Sequence, residues 1–263
     1  MVQELRGNKI VSNEYTKALD AFDRVLEEQA NRFFEAVSAG KQDNEFPAVM
    51  LRRACDLAQK TLKAVKMHLL AGHGAFLACT LCRPFYEIAF KLLWAARQEH
   101  GWDRLSIWLA NEDKKWAQDA FGIPEFSGHA KQISEHRDQV LHLTDGQGQV
   151  LREPPNLKKM LYEIEDCDIK SGLRRGGGKQ AVFEYVGIYR ILCRPAHAHL
   201  GAAVNLSTEA FLPVVIFACG NATFALVRAM IHLGARDPEK EIRVLANEFR
   251  TTFSEFVPSL TKT

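Results

Sequence analysis

Apolar residues recur at helical spacing along nearly the whole chain, and the alternation typical of β-strands is nearly absent. One such stripe predicts the second helix, with apolar residues at Leu51, Leu57, Leu62, Val65 and Leu69. Hydrophobic residues make up 47% of the 263 residues, which is enough to bury a substantial core. We therefore predict an all-α fold that forms a single helical domain over residues 1–263.

Glycines, prolines and capping residues divide this pattern into a bundle of about six long helices. The helical segments are predicted at about 13–40, 47–71, 75–98, 102–121, 180–200, 207–233 and 237–256. Between 122 and 178 the chain carries a Pro-Pro pair and two glycine-rich stretches, with short helical pieces at about 128–140 and 156–166. These breakers predict an irregular, partly helical insertion within the domain.

The stretch 210–227 is the most apolar part of the chain and approaches the roughly 20 residues that cross a bilayer. Pro213, Gly220, Asn221 and Thr223 interrupt it, so we predict a central core helix and no membrane association. The polar N-terminus lacks a signal-peptide core, and the net charge of +2 creates no long-range field. We expect a cytoplasmic protein.

Six cysteines lie mostly within apolar helical patterns, as reduced, buried cysteines do. Cys79 and Cys82 form one Cys-x-x-Cys pair, but no second pair stands at the spacing of a structural zinc site. His197 and His199 would diverge by about 200° on a helix, which is unsuited to a shared metal. The sequence predicts neither a metal nor a cofactor.

Arg83 and Glu87 stand four residues apart on the very apolar third helix. They share a face and can form an ion pair that is at least half buried. Two interpretations stay open: a structural pair that fixes the helix register, or part of a functional site. The tetrapeptide Leu-Cys-Arg-Pro occurs at 81–84 and again at 192–195, and a proline inside each helix should bend it.

The helix from Glu184 onward combines aromatic, guanidinium and imidazole groups. At about 100° per residue, Arg190 and His197 lie within about 20° of each other, with Arg194 between them and Tyr189 beside them. The alternative pair of Arg194 and His199 points about 140° apart. Nearby arginines should keep the imidazole neutral, so that it can act as a base. The structural alternative is a buried core histidine.

The segment 170–179 combines three consecutive glycines with Arg174, Arg175 and Lys179 just before a helix. Backbone amides and basic side chains at a helix N-terminus can bind phosphate. The segment is not a Walker A loop, because Leu173 replaces the first glycine and Gln180 follows the lysine. The alternative is a solvated loop.

These residues carry a resemblance over roughly residues 50–235. Arg83 with Glu87, followed by Tyr185, Tyr189 and His197, resembles a bacterial helical family to which no reaction is assigned. The arginine–histidine segment also resembles the HEPN superfamily, whose motif is an arginine, four to six residues and a histidine. Six residues separate Arg190 from His197, and four separate Arg194 from His199. The chain departs from that family at the polar residue that often follows the arginine, since Ile191 or Pro195 stands there.

The HEPN resemblance implies a metal-independent ribonuclease of a bacterial defence or toxin-type system, acting on RNA as a homodimer. It implies that His197 assists attack of a ribose 2′-hydroxyl, while Arg190 and Arg194 stabilise the phosphoryl oxygens. Arg83, Glu87, Tyr185 and Tyr189 would support that site. Two alternatives stay open: a non-catalytic helical interaction module with a structural polar cluster, and a protein that binds a small apolar ligand between its helices.

Overall fold

The computed structural model describes residues 2–40, 45–71, 75–120, 128, 131–133, 135, 138, 143–145, 147–174, 179–196 and 208–256. The fold is all-α, as predicted. Its helices are α1 (Val2–Ser38), α2 (Glu45–Leu70), α3 (Ala75–Arg97), α4 (Gly101–Ala120), α5 (Leu157–Lys170), α6 (Lys179–Val182), π1 (Phe183–Tyr189), α7 (Arg190–Ala196), α8 (Thr208–Gly234) and α9 (Pro238–Phe256). Among the described residues, the only β pairing is an isolated bridge between Thr144 and Val150.

Most helix boundaries lie close to those that the sequence predicts. The exception is α1, which begins at Val2 and runs through Asn13, where the sequence predicts the start of the first helix. Asparagine inside a helix costs only a fraction of a kcal/mol (about 0.7 or less), and no proline interrupts this segment, so the helix extends. Asn156 caps α5, since its side chain accepts a hydrogen bond from the Lys159 N–H at 3.0 Å.

The centre of the molecule is the pair formed by α3 and α8, which pack along each other more extensively than any other two helices. Tyr86 and Trp94 of α3 are fully buried. In α8, Phe211–Gly234 is long and apolar enough to cross a membrane by length and composition, and 78% of its most apolar window is buried inside the fold. That burial is what a central core helix shows.

The other helices surround this pair. α1 and α2 pack on one another, and both contact α8. α9 packs on α8 and α1 through Phe249, whose ring centroid lies 5.1 Å from that of Phe224 and 5.9 Å from that of Phe22. α5 and α7 pack against α3.

The described part of the segment predicted as an irregular insertion consists of an irregular stretch followed by a well-packed helix. In residues 143–145 and 147–156, the Asp145 side chain accepts hydrogen bonds from the Gln147 and Gln149 backbone amides, each at 2.9 Å. By contrast, α5 buries Leu157, Met160 and Ile164 in the main core. The end of the segment thus belongs to the body of the bundle.

Candidate functional site

The helix that carries the predicted aromatic residues is not a regular α-helix. From Phe183 to Tyr189 it is a π-helix, and the Arg190 N–H reaches back five residues to the Tyr185 carbonyl. The angular positions expected for an α-helix therefore do not hold across 183–189. The wider turn buries Glu184 and Ile188, while the rings of Tyr185 and Tyr189 stack at 5.6 Å. Short π segments inside α-helices are frequently found at functional sites in proteins.

The predicted pair of Arg83 and Glu87 forms, and it has a third member. The Arg83 Nε donates to Glu87 Oε1 at 2.9 Å, and the Tyr189 hydroxyl donates to the same oxygen, also at 2.9 Å. The side chains of Arg83 and Glu87 are 28% and 25% exposed, so water reaches the pair. Burial, together with the neighbouring thiol and carboxylate, raises the pKa of Tyr189. We call these three residues the Glu87 cluster; it joins α3 to π1.

A second cluster, the Glu184 cluster, lies deeper and was not predicted. Glu184 is only 5% exposed. One of its carboxylate oxygens accepts a hydrogen bond from the Tyr86 hydroxyl, and the other accepts from the side-chain amides of Gln180 and Asn221, the latter at 2.9 Å. All three donors are neutral. Burial therefore raises the pKa of Glu184, and the three hydrogen bonds oppose that rise only in part.

The two clusters share an aromatic wall, because the rings of Tyr86 and Tyr189 stack at 6.3 Å. A sequence signal for the second cluster does exist. Asn221 is a polar residue in the most apolar helix of the chain, and such a residue should have a buried partner. In the sequence alone, Asn221 stands out only as an interruption of a candidate membrane span.

A third cluster, the Asp168 cluster, joins the ends of α3, α5 and α8. Asp168 Oδ1 accepts a hydrogen bond from Arg228 and forms an ion pair with Arg97 Nη1 at 3.1 Å. The Arg97 guanidinium also lies 2.7 Å from His232 Nε2. Burial and the two arginines lower the pKa of His232 to about 3, so the imidazole is neutral and accepts this bond.

A cavity of about 440 Å³ connects the second and third clusters. Glu184 and Asn221 line one part of it, and Asp168 and Arg228 line another. This volume falls within the range of small-molecule sites in proteins, about 300–1,000 Å³.

The structure brings together only some of the residues singled out by the sequence. Arg190 is exposed at the first position of α7. Arg194 belongs to α7, but the structure does not describe its side chain. His197 and His199 lie outside the described residues. The predicted stripe of Arg190, Arg194 and His197 therefore stays a prediction.

The predicted phosphate-binding residues are divided between two environments. Arg174 lines the cavity, where it donates to Gln180 Oε1 at 3.3 Å and pairs with Glu165 at 3.7 Å. Lys179 is exposed at the start of α6, and Arg175 lies outside the described residues. Within the part of the chain that the structure describes, no three His, Cys, Asp or Glu side chains come together as a metal site would need.

Comparisons of the chain with protein-family models, with curated proteins and with solved structures give no significant match.

Proposed function

We propose that this chain is a HEPN-like helical protein that cleaves RNA without a metal, in a bacterial defence or toxin-type system in the cytoplasm. The observation that carries the proposal is the Glu87 cluster. Tyr189, the last residue of π1, is bonded to Glu87 of α3, and the next residue is the exposed Arg190. The helix that begins with the proposed catalytic arginine is thus fixed to the core at its first turn.

The proposed reaction follows from the chemistry of the residue types. The imidazole of His197 takes the proton of a ribose 2′-hydroxyl while that oxygen attacks the adjacent phosphorus. The bond from phosphorus to the 5′-oxygen breaks, a 2′,3′-cyclic phosphate forms, and the leaving oxygen takes up a proton. Arg190 and Arg194 stabilise the negative charge on the phosphoryl oxygens. A homodimer would place two such helices on one RNA.

Arg83, Glu87 and Tyr189 have a positioning role in this proposal, because they do not touch the reacting atoms. Tyr185 supports Tyr189 by stacking on it. The same geometry favours a second candidate, a non-catalytic interaction module. Glu87 Oε1 accepts hydrogen bonds from both Arg83 and Tyr189, so this carboxylate already has partners within the protein and needs no ligand to bind it.

The experiment compares cleavage of single-stranded RNA by the wild-type chain, His197→Ala and Arg190→Ala, with EDTA present throughout. We expect His197→Ala to lower the rate by about 10²–10⁴, the usual contribution of a general base. We expect Arg190→Ala to lower it by about 10²–10³, the usual contribution of one oxyanion-stabilising donor. The products should end in 2′,3′-cyclic phosphate.

Arg53→Ala is the matched control, because Arg53 is an exposed arginine on α2, and its rate should equal that of the wild type. Melting curves ensure that equal amounts of folded protein are compared. Cleavage by His197→Ala at the wild-type rate, or no cleavage by the wild type, contradicts the proposal. No cleavage by the wild type together with a lost melting transition in His197→Ala would favour the interaction module.

A further inference from the structure

The cavity beside Glu184 has an apolar part and a charged part. Phe90 of α3, Phe224 of α8 and Ile242 of α9 supply apolar surface. The charged wall contains three carboxyl groups and three guanidinium groups, from Glu165, Asp168, Glu184, Arg174, Arg228 and Arg243. Which of these groups still has hydrogen-bonding capacity determines what kind of molecule fits.

The carboxyl groups of the cavity already have donors. Glu165 accepts hydrogen bonds from the Gln180 and Ala181 amides, each at 3.2 Å, and pairs with Arg174. Asp168 is shared by two arginines, and Glu184 accepts from three neutral donors. Glu165 and Asp168 are therefore already paired with arginines, and a cationic ligand would have to compete with them.

Among the guanidinium groups, Arg228 has a donor to spare. Arg228 is only 8% exposed, and its buried Nε has no hydrogen-bond partner among the described residues. Arg97 is buried beside it, and the two arginines share the single carboxylate of Asp168. The neighbouring His232 is neutral because its pKa is lowered, so it supplies no counter-charge to the arginines. A buried cation without a full counter-charge is unfavourable, so the cavity favours a ligand that carries one negative charge.

We propose that this cavity binds a small organic monocarboxylate. Its carboxylate accepts hydrogen bonds from Arg228, and Arg174 of the same wall adds a second positive charge. Its hydrocarbon part packs on Phe90, Phe224 and Ile242. Arginine suits the first task because its planar guanidinium binds carboxylates with fixed geometry. The proposal is independent of RNA cleavage, since Arg190 and His197 take no part in it.

The test measures binding of octanoate to the full chain by titration calorimetry and by the shift of the melting temperature. Octanol has the same chain length as octanoate but no negative charge. Inorganic phosphate is an anion without a hydrocarbon chain. We expect saturable octanoate binding with a raised melting temperature, and at least tenfold weaker binding of the other two compounds. Absence of octanoate binding contradicts the proposal, as does equal binding of octanol or of phosphate.

Two variants locate the site without touching the buried Arg228. Arg174→Gln removes a charge from a partly exposed side chain, and Ala246→Leu fills part of the cavity without a change of charge. Each should weaken octanoate binding at least tenfold. Their matched controls are Arg53→Gln on α2 and Ala36→Leu on α1, which should bind as the wild type does. Wild-type affinity in Ala246→Leu would place octanoate elsewhere and overturn the proposal.

Discussion

At the scale of single residues, this protein deals with buried titratable groups in two ways. Where a neutral form exists, burial favours it: the pKa of Glu184 is raised and the pKa of His232 is lowered, and both shifts stabilise the uncharged side chain. Arginine has no accessible neutral form, so Arg97 and Arg228 stay charged and share Asp168. The site therefore combines buried groups whose pKa shifts favour the neutral form with two buried arginines that share one carboxylate.

His232 makes stability depend on pH, and the sign follows from its lowered pKa. The pKa of His232 is about 3 in the folded protein and near 6.5 in the unfolded chain. Below pH 6.5 the imidazole is therefore protonated in the unfolded chain but still neutral in the folded protein. The free energy of unfolding should therefore fall as the pH drops from 6.5 towards 3. Because the imidazole is partly exposed, we expect this residue to contribute about 1 kcal/mol between pH 6.5 and 5.

The measurement is urea unfolding of the wild type and of His232→Gln at pH 7.5, 6.5, 5.5 and 5.0. Glutamine does not titrate, and its side-chain oxygen can still accept a hydrogen bond from Arg97. The wild type should lose stability relative to the variant as the pH falls, and the difference cancels the titration of all other groups. A difference that stays constant over this range would show that His232 titrates normally.

At the scale of helices, the sequence predicts length and type well and local geometry poorly. The repeat of apolar residues placed most helix boundaries within a residue or two. It did not predict π1, because π1 is only seven residues long and lies within one continuous helical stretch. So short a π segment hardly changes the average spacing of apolar residues along that stretch. The π turn is tied to tertiary contacts: Glu184 bonds to Asn221 of α8, and Tyr189 bonds to Glu87 of α3.

The joint between α3 and α4 depends on a single glycine. A Cβ atom at Gly101 would lie 2.3 Å from the backbone oxygen of Ala95, and Ala95 is itself buried in the last turn of α3. Because the obstacle is backbone, the two helices would have to move apart. Gly101→Ala should therefore lower the free energy of unfolding by about 1–3 kcal/mol, the usual cost of overpacking.

Gly187→Ala is the comparison for that variant. Its added Cβ would meet only the ring of Phe183, at 3.2 Å, and that side chain is 48% exposed and able to shift. Urea unfolding should show a loss of stability for Gly101→Ala and little change for Gly187→Ala. Equal stability of Gly101→Ala and the wild type would mean that the joint between α3 and α4 has room for an extra methyl group.

At the scale of the whole molecule, the fold class was predictable because helical periodicity is a local property repeated along the chain. The Arg83–Glu87 pair was predictable for the same reason, since its members stand four residues apart. The Glu184 cluster was not, because Tyr86 lies 98 positions before Glu184 and Asn221 lies 37 after it. Only the packing of π1 between α3 and α8 brings these residues together.

That packing also determines which thiols solvent can reach. Cys79 and Cys82 of α3, Cys219 of α8 and Cys55 of α2 are buried in the centre of the bundle. The sulfur atoms of Cys82 and Cys219 lie 3.3 Å apart across the α3–α8 contact. Burial raises the pKa of Cys55 and of Cys79 to about 12, so almost none of either is thiolate at neutral pH. Cys167 and Cys193 are partly exposed.

Alkylation with iodoacetamide at pH 7.5, followed by peptide mass spectrometry, should therefore separate the six cysteines into two groups. In the native protein Cys167 and Cys193 react first. The four buried thiols should react at least 100-fold more slowly, because their reaction requires opening of the core as well as thiolate formation. In denaturant all six should react at similar rates. Labelling of Cys82 or Cys219 as fast as Cys167 in the native state would mean that α3 and α8 do not form a closed core, and the clusters built on that pair would then lose their support.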